Sequence, residues 1–390
     1  MNARICQVIW LFFLVGVLVG LMLVSNSGPT QAASPIRIAI IQDQSGPHAE
    51  AGISERYGYQ LALDEANDAG GIKGSKIEYT IGDDNANVDR GISLAKRAVE
   101  RDKASVILGS NVSTVSLGII KVAVESRIPQ VSGSYATPLY QGTTPKDNGY
   151  WHFASFGNNE DLGKSNLVAA QREGLKKVGI TYINVAWGQD MRDACKKYAS
   201  QYGIQIVGEV PIESGATEVT AEVSKLKVLN PEGILVLNYP GDAAAVYRAL
   251  TALNWSLPTF PQGMGVPAMI KIVDPNLLNG AVFGTCADIE APEVTQLVER
   301  GEKRYKVKIS PKDYNVRAYN AALAVVKALA ACKDPTNRSE VRDEMEKVKP
   351  FPMCAPVPGN LGPMQWNKMP HLMFTEYCPF FMKGGKIVRK

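Results

Sequence analysis

Residues 36–81 read IRIAIIQDQSGPHAEAGISERYGYQLALDEANDAGGIKGSKIEYTI. Ile36 to Ile41 is an apolar run of strand length, and Asp43-Gln44-Ser45-Gly46-Pro47 has turn composition at its carboxyl end. From Tyr57 to Ala69, Leu61, Ala62 and Ala66 recur at helical spacing, and Gly70-Gly71 stops that helix. Ile77 to Ile81 alternates and predicts a second strand. A strand, a helix of this length and another strand predict a parallel pair joined by a crossover.

Downstream the pattern continues. Val88 to Glu100 predicts a helix, Ala104 to Leu108 a strand, Leu117 to Glu125 a helix and Ile128 to Val131 a strand. After Phe156 the rhythm restarts: helix Leu162 to Glu173, strand Lys177 to Tyr182, helix Gln189 to Tyr202, strand Ile204 to Val210, helix Val219 to Val228, strand Gly233 to Leu237 and helix Asp242 to Leu253. The reading is α/β, in two successive units of about 120 residues, each a parallel sheet covered on both faces. Val316 to Ala331 predicts a further, Ala-rich helix. The last forty or so residues, rich in Pro, Met and aromatics, lack enough periodic elements for a core of their own.

Upstream, Arg4 precedes an almost wholly apolar run from Val8 to Val24, a polar stretch Ser25 to Gln31, and Ala32-Ala33. Charge, apolar core and small-residue exit are the order of a secretory signal peptide cleaved near Ala33. The run is also long enough for an uncleaved membrane anchor. Cys6 lies on the wrong side of the apolar core for lipid attachment at the exit. The roughly 360 residues that follow exceed what one core fills, so two domains are expected. With 45% hydrophobic and 21% charged residues and a net charge of +4, no disordered arm or basic block is present, which argues against nucleic acid as a partner. Beyond Cys6, the cysteines Cys195, Cys286, Cys332, Cys354 and Cys378 are odd in number, so at least one thiol is free or pairs outside the chain. Cys332 with Cys354 is the first pairing to consider, and Cys354 with Cys378 the next.

In parallel sheets, ligands meet the loops at the carboxyl ends of strands, where helix amino termini present unpaired N–H groups. Four segments hold that place: Gly109 to Val115, Ser132 to Pro138, Tyr182 to Gly188 and Asn238 to Gly241. The first two are rich in hydroxyls and small residues, suited to an anionic group through backbone N–H and the Ser113 hydroxyl; plain helix capping is the alternative. The last two offer Trp187 and Tyr239, which enclose an apolar ligand or pack locally. His48, His152 and His371 show no metal-ligand spacing, and Asp83-Asp84 reads as capping. Gly70 to Lys76 lacks phosphate-loop spacing, and no G-x-S-x-G elbow occurs, so an enzyme is disfavoured and no metal or cofactor is expected.

Several stretches together resemble the branched-chain amino-acid-binding branch of the type I periplasmic solute-binding proteins of ABC importers. They are Ile38 to Pro47, Gly58 to Lys73, Asp83-Asp84, the Ser113 loop, Ile128 to Pro138 and Gly362 to Trp366. The resemblance implies two Rossmann-like lobes joined by three crossings, closing on a solute and presenting it to a membrane permease from the periplasm. It implies a first lobe of 34–156 completed by 286–350, and a second of 157–285 completed by 351–390. It further implies that Ser113 and the second loop, Ser134, Tyr135 and Ala136, hold the ligand's carboxylate. Ala136 stands where the family has a threonine, with Thr137 as the neighbouring substitute. Trp187 and Tyr239 would wall the pocket. The acid that pairs with an ammonium group falls in Gln262 to Val266, on Met264.

A buried ammonium without a counter-charge costs several kcal/mol, and methionine offers only an apolar wall. The expected solute is therefore a small organic acid, an aromatic carboxylate first, with a branched-chain or other amino acid or a small amide as the alternative. Glu290, Asp288 or Asp161 entering the cleft would alter that expectation. The chain is expected to act as a monomer. Rival classes are an amidase-like enzyme and a ligand-sensing receptor domain.

Overall fold

The computed structural model describes residues 34–155, 157–262, 265–285, 287–349, 366 and 378–389. Strand β1, Ile36–Gln42, shows why the chain folds as it does. Ile38 and Ile40 enter one apolar cluster while Ala39 and Ile41 enter another on the opposite face. A strand buried on both sides belongs inside a parallel sheet covered by helices.

That sheet takes the order β2-β1-β3-β4-β5, all parallel, with β2 Ile77–Asp83, β3 Val106–Gly109, β4 Gln130–Ser132 and β5 His152–Ala154. Helices α1 Ala49–Asp68, α2 Val88–Glu100 and α3 Ser113–Ser126 connect it. The second lobe repeats the logic. Helix α4 Asn159–Arg172 leads to β6 Lys177–Ile183, α5 Ala186–Tyr198, β7 Gln205–Ile212, α6 Thr220–Val228, β8 Gly233–Leu237, α7 Pro240–Ala252 and β9 Thr259–Pro261. Its parallel order is β7-β6-β8-β9. In β8, Leu235 and Leu237 face one cluster and Ile234 and Val236 the other.

A third, antiparallel sheet, β10-β11-β12, pairs β10 Val282–Thr285 with β11 Cys378–Lys383 and β12 Lys386–Arg389, and β10 lies beside β9. Between these strands run α8 Pro292–Tyr305, α9 Lys312–Ala331 and α10 Arg338–Glu346. Helix α9 packs along α1 on the first lobe. Trp366 donates its indole N–H to the Ala154 carbonyl at 2.8 Å and sets its ring edge-on to Phe153, both in β5.

Two helices begin earlier than their apolar periodicity. Helix α1 starts at Ala49 and buries Ser54 and Glu55; α9 starts at Lys312 and buries Asp313, Asn315 and Arg317. Polar residues occupy inward positions there, which conceals the helical stripe. The short strands β5, β9 and β10 carry too few residues for alternation to register, and the amphipathic α8, opened by Pro292, was also not anticipated. Cys332 is a free buried thiol donating to the Ala328 carbonyl, so the pairing with Cys354 considered above is not made; Cys354 lies outside the described residues. Helix α9 ends at Ala331 with Cys332 as its C-cap, which directs the thiol back onto the last turn.

Candidate functional site

The first loop leaves β3 at Gly109, whose φ is +129°. A Cβ there would stand 1.7 Å from the Ile41 carbonyl, so only glycine lets the chain turn against β1. Beyond it, Ser110, Ser116 and Ser134 form a buried hydroxyl cluster. Ser110 N–H donates to Ser116 Oγ at 3.1 Å, and Ser134 Oγ lies 2.8 Å from the Ser110 carbonyl and 2.9 Å from Ser116 Oγ. Gln130 adds a donor to the Gly109 carbonyl at 2.7 Å. The Ser134 hydroxyl is thus engaged inside the first lobe, tying the first loop to the second.

Ser113 opens α3 and is buried. The N-cap position is Val112, and no side chain caps the helix, so the capping role is not taken by this serine. In the second loop, Ala136 enters the outer core of the first lobe. Thr137 donates both its N–H and its hydroxyl to Asp190 Oδ2, at 2.8 and 2.9 Å. Asp190 belongs to α5 and also accepts from Asn159 Nδ2 at 2.6 Å, so Thr137 is a contact between lobes.

The second lobe presents Trp187, at the start of α5, and Tyr239, the N-cap of α7. Their rings stack at 5.0 Å and 21°. His48, at the N-cap of α1, meets Tyr239 with centroids 4.0 Å apart, so the ring pair lies at the interlobe gap. Burial lowers the His48 imidazole to about 4, and among the described residues its Nδ1 has no partner. Met264 lies outside the described residues. Its neighbour Gln262 accepts from Gly265 N–H at 2.7 Å and closes its own loop.

Tyr135 leads to residues that the sequence reading missed. Its hydroxyl accepts from Arg317 of α9, whose guanidinium also lies over the rings of Tyr135 and Tyr314, 5.3 and 4.3 Å from their centroids. Arg317 is paired with Glu55 of α1, its Nε donating to Glu55 Oε1 at 2.9 Å, and both side chains are fully buried. Gln42 joins this pair to the first loop: its Nε2 donates to Glu55 Oε2 at 2.9 Å, and its Oε1 accepts from Asn111 N–H at 2.6 Å. The second loop passes so close that a Cβ on Gly133 would stand 2.4 Å from Glu55 Oε1 and 2.5 Å from Arg317 Nη2. Nearby, burial raises Asp313 to about 7, with Arg317 opposing. One signal was available: Tyr314, Arg317, Ala318 and Ala321 share a helical face, and a charge on an apolar face requires a buried partner.

The acids considered from sequence lie elsewhere in bonding: Asp288 pairs with Arg389 at 3.0 Å, Asp161 lies 3.8 Å from Lys164, and Glu290 donates its N–H to Asp288 Oδ1. Asp83 accepts from Gln44 N–H, Ser45 Oγ and Asn85 N–H, and Asp84 from Ala86 N–H, so this carboxylate pair holds turns.

Two lobes with loops converging on one gap match a known group. The periplasmic binding protein family matches residues 35–375. The chain belongs to that family. This periplasmic binding protein is accordingly an extracytoplasmic solute-binding component of ABC import, and a binder rather than an enzyme. It is 27% identical over 324 residues to Leu/Ile/Val-binding protein homolog 1 of Brucella melitensis, covering 79% of this chain and 81% of that one. It superposes with a TM-score of 0.76 on the branched-chain amino acid transporter substrate binding protein LivJ of Streptococcus pneumoniae, solved with isoleucine, at 21% identity and 91% and 100% coverage. It superposes with a TM-score of 0.78 on an ABC transporter solute-binding protein of R. palustris, solved with benzoate, at 20% identity and 91% and 95% coverage.

Proposed function

We propose that this periplasmic binding protein closes its two lobes on a small solute having an apolar body and an acidic end, and delivers it to a membrane permease. The observation that carries this reading is the opposition of two surfaces. Trp187 and Tyr239 stack on the second lobe, where His48 of the first lobe meets Tyr239, and the first-lobe loops are built on hydroxyls and a buried ion pair. An apolar wall selects a body, and convergent polar groups select one end. Ser113 and the Tyr135 loop are the groups assigned to the carboxylate, with Ser134, Ala136 and Thr137 shaping that loop.

Within that class, a branched-chain amino acid is the first ligand to test. The Brucella relative that spans four fifths of both chains carries a Leu/Ile/Val-binding name, and the pneumococcal protein holds isoleucine. The absence of an acid between Gln262 and Val266 weighed against an ammonium group only while no other acid reached the cleft. Asp190, which accepts from Thr137 and Asn159 at the contact between lobes, is a carboxylate near that gap and favours the amino-acid reading. An aromatic carboxylate remains the second reading, favoured by the Trp187–Tyr239 stack, and the R. palustris protein of this fold holds benzoate.

Calorimetric titration with leucine, isoleucine, valine, benzoate and their close analogues separates the two. Micromolar or tighter binding of the amino acids, with the acids lacking an amino group silent, supports the first reading. At least tenfold tighter binding of the simple carboxylates supports the second. Silence toward the whole set overturns both.

The lobe assignment follows the same proposal: residues 1–33 as a cleaved leader, 34–156 with 286–350 as the first lobe, and 157–285 with 351–390 as the second. Packing of α9 on α1 and pairing of β11 with β10 support it, and Trp366 against β5 marks a crossing. The unit is taken to be a monomer, which sedimentation at micromolar concentration tests.

A further inference from the structure

Lys271 sends its ammonium group from one lobe to the other. It follows the helical turn Val266–Met269, whose Val266 and Met269 pack in the second-lobe core with Ile234 and Val236 of β8. Yet its Nζ bonds Glu50 Oε1 of α1 at 2.9 Å and Ser310 Oγ at 2.5 Å, both on the first lobe. Among the described residues, Lys271 Nζ meets no oxygen of its own lobe, and the Glu50 carboxylate meets no other cation. Other surface pairs stay within a lobe, as Lys197 with Glu160 and Arg304 with Asp68 do. The receiving side is firmly built. Ser54, one turn beyond Glu50, donates its hydroxyl to the Pro311 carbonyl at 2.6 Å, which ties the chain at Ser310 to α1. His48, two residues before Glu50, sets its ring against Tyr239, so the start of α1 meets the second lobe twice.

We propose that Lys271, Glu50 and Ser310 form an electrostatic latch on the closed lobes, which slows release of the solute by acting on closure. The inference rests on the reading of the protein as one that closes on a solute, and is the same for either solute class. A bond between lobes exists only while they are together. Its free energy therefore enters the balance of open and closed forms, and through that balance the affinity. The two side chains are 49% and 40% exposed, and an ion pair so exposed is weak. Such a latch tunes the lifetime of the closed form and still lets it open. Lysine suits that task, because its flexible stem follows small changes in closure and its ammonium is readily rehydrated.

The test titrates the full mature chain with leucine and with benzoate, and compares the parent with Lys271→Met, Glu50→Gln and the two combined. Either single variant should weaken the probe that binds by roughly two- to fivefold. The dissociation rate in stopped flow should rise by the same factor, with association unchanged. The double variant should bind no more weakly than the singles, because each removes the same bond. The melting temperature of the solute-free protein should stay at the parent's, since open lobes do not make the contact. Raising salt from about 0.05 to about 0.5 M should narrow the difference between parent and variants. Parent-like affinity in both single variants, losses that add in the double variant, or a solute-free melting temperature that falls with the affinity overturns the proposal. Should a single variant fail to fold, Glu50→Lys combined with Lys271→Glu decides: the exchanged pair should bind like the parent and Lys271→Glu alone more weakly, and equal binding by the two overturns the latch. A parent that binds neither probe overturns the solute reading instead, and the inference with it.

Discussion

The two faces of the cleft are built in opposite ways. The first-lobe face is a bonded lattice in which Ser110, Ser116, Ser134, Gln130, Gln42, Glu55 and Arg317 hold one another, drawn from five separate elements. The second-lobe face is a pair of stacked rings, each at the start of a helix. Polar groups recognise by direction, so their positions need a scaffold that satisfies every neighbour. Rings recognise by area, and packing against apolar neighbours keeps them in place. The first face should therefore fail when one bond is removed, and the second should degrade gradually.

The largest expected effect tests the lattice. Arg317→Met leaves a buried carboxylate without its cation and should cost roughly 3–5 kcal/mol of folding stability in urea unfolding. Adding Glu55→Gln should return most of it. A single variant as stable as the parent would show that Glu55 finds another cation or a proton, and the first face would then be less tightly coupled than its bonds imply.

Next comes Ser113→Ala. If its hydroxyl donates to the solute carboxylate, affinity should fall by roughly 1.5–3 kcal/mol with stability unchanged, since the described structure gives this hydroxyl no capping role. A loss under about 0.5 kcal/mol would remove Ser113 from the site. Tyr239→Ala should do less, about 0.5–1.5 kcal/mol of affinity, because Trp187 remains as a wall. The loss should be greater for benzoate than for valine; equal losses would mean that the ring shapes the gap without touching the solute.

The two faces were also unequally legible from sequence. Trp187 and Tyr239 stood out as bulky aromatics in polar post-strand loops, and an odd residue in a loop is visible without its partners. Glu55 and Arg317 are 262 positions apart, and each lies in a helix whose other residues predict an ordinary stripe. Their meaning appears only when α9 packs on α1. The fold shows the same contrast. Val88–Glu100 and Gly233–Leu237 match their expected bounds because periodicity there is carried by local burial. The antiparallel sheet of β10, β11 and β12 joins segments nearly a hundred residues apart and has no local pattern to announce it. Apolar spacing reveals elements and long-range polar pairing does not, because the first depends on one face and the second on two distant sequences.

His48 is where the two faces touch, and its titration gives the finest test. Its ring is held against Tyr239, its backbone N–H donates to Asp43 Oδ2 at 2.8 Å, and Asn111 Nδ2 donates to its backbone carbonyl at 3.3 Å. Burial lowers its pKa from the ordinary 6.5 to about 4. The folded state therefore binds fewer protons than the unfolded chain between those values. Its contribution to stability is fully present above about pH 6.5 and is lost as pH falls toward 4. Between pH 7 and pH 5.5 the loss should be about 1 kcal/mol. Asp84, raised by burial to about 6, and Asp313, raised to about 7, act in the opposite sense, gaining stability as pH falls through the same window. The parent's total pH profile mixes these terms, so the measurement is the difference between the parent and His48→Gln, taken by urea unfolding at each pH. The difference should shrink by about 1 kcal/mol on going from pH 7 to pH 5.5. A difference that stays constant over that range would mean that the imidazole reaches water whenever it needs a proton, and that the contact between the ring wall and the first lobe opens freely in solution.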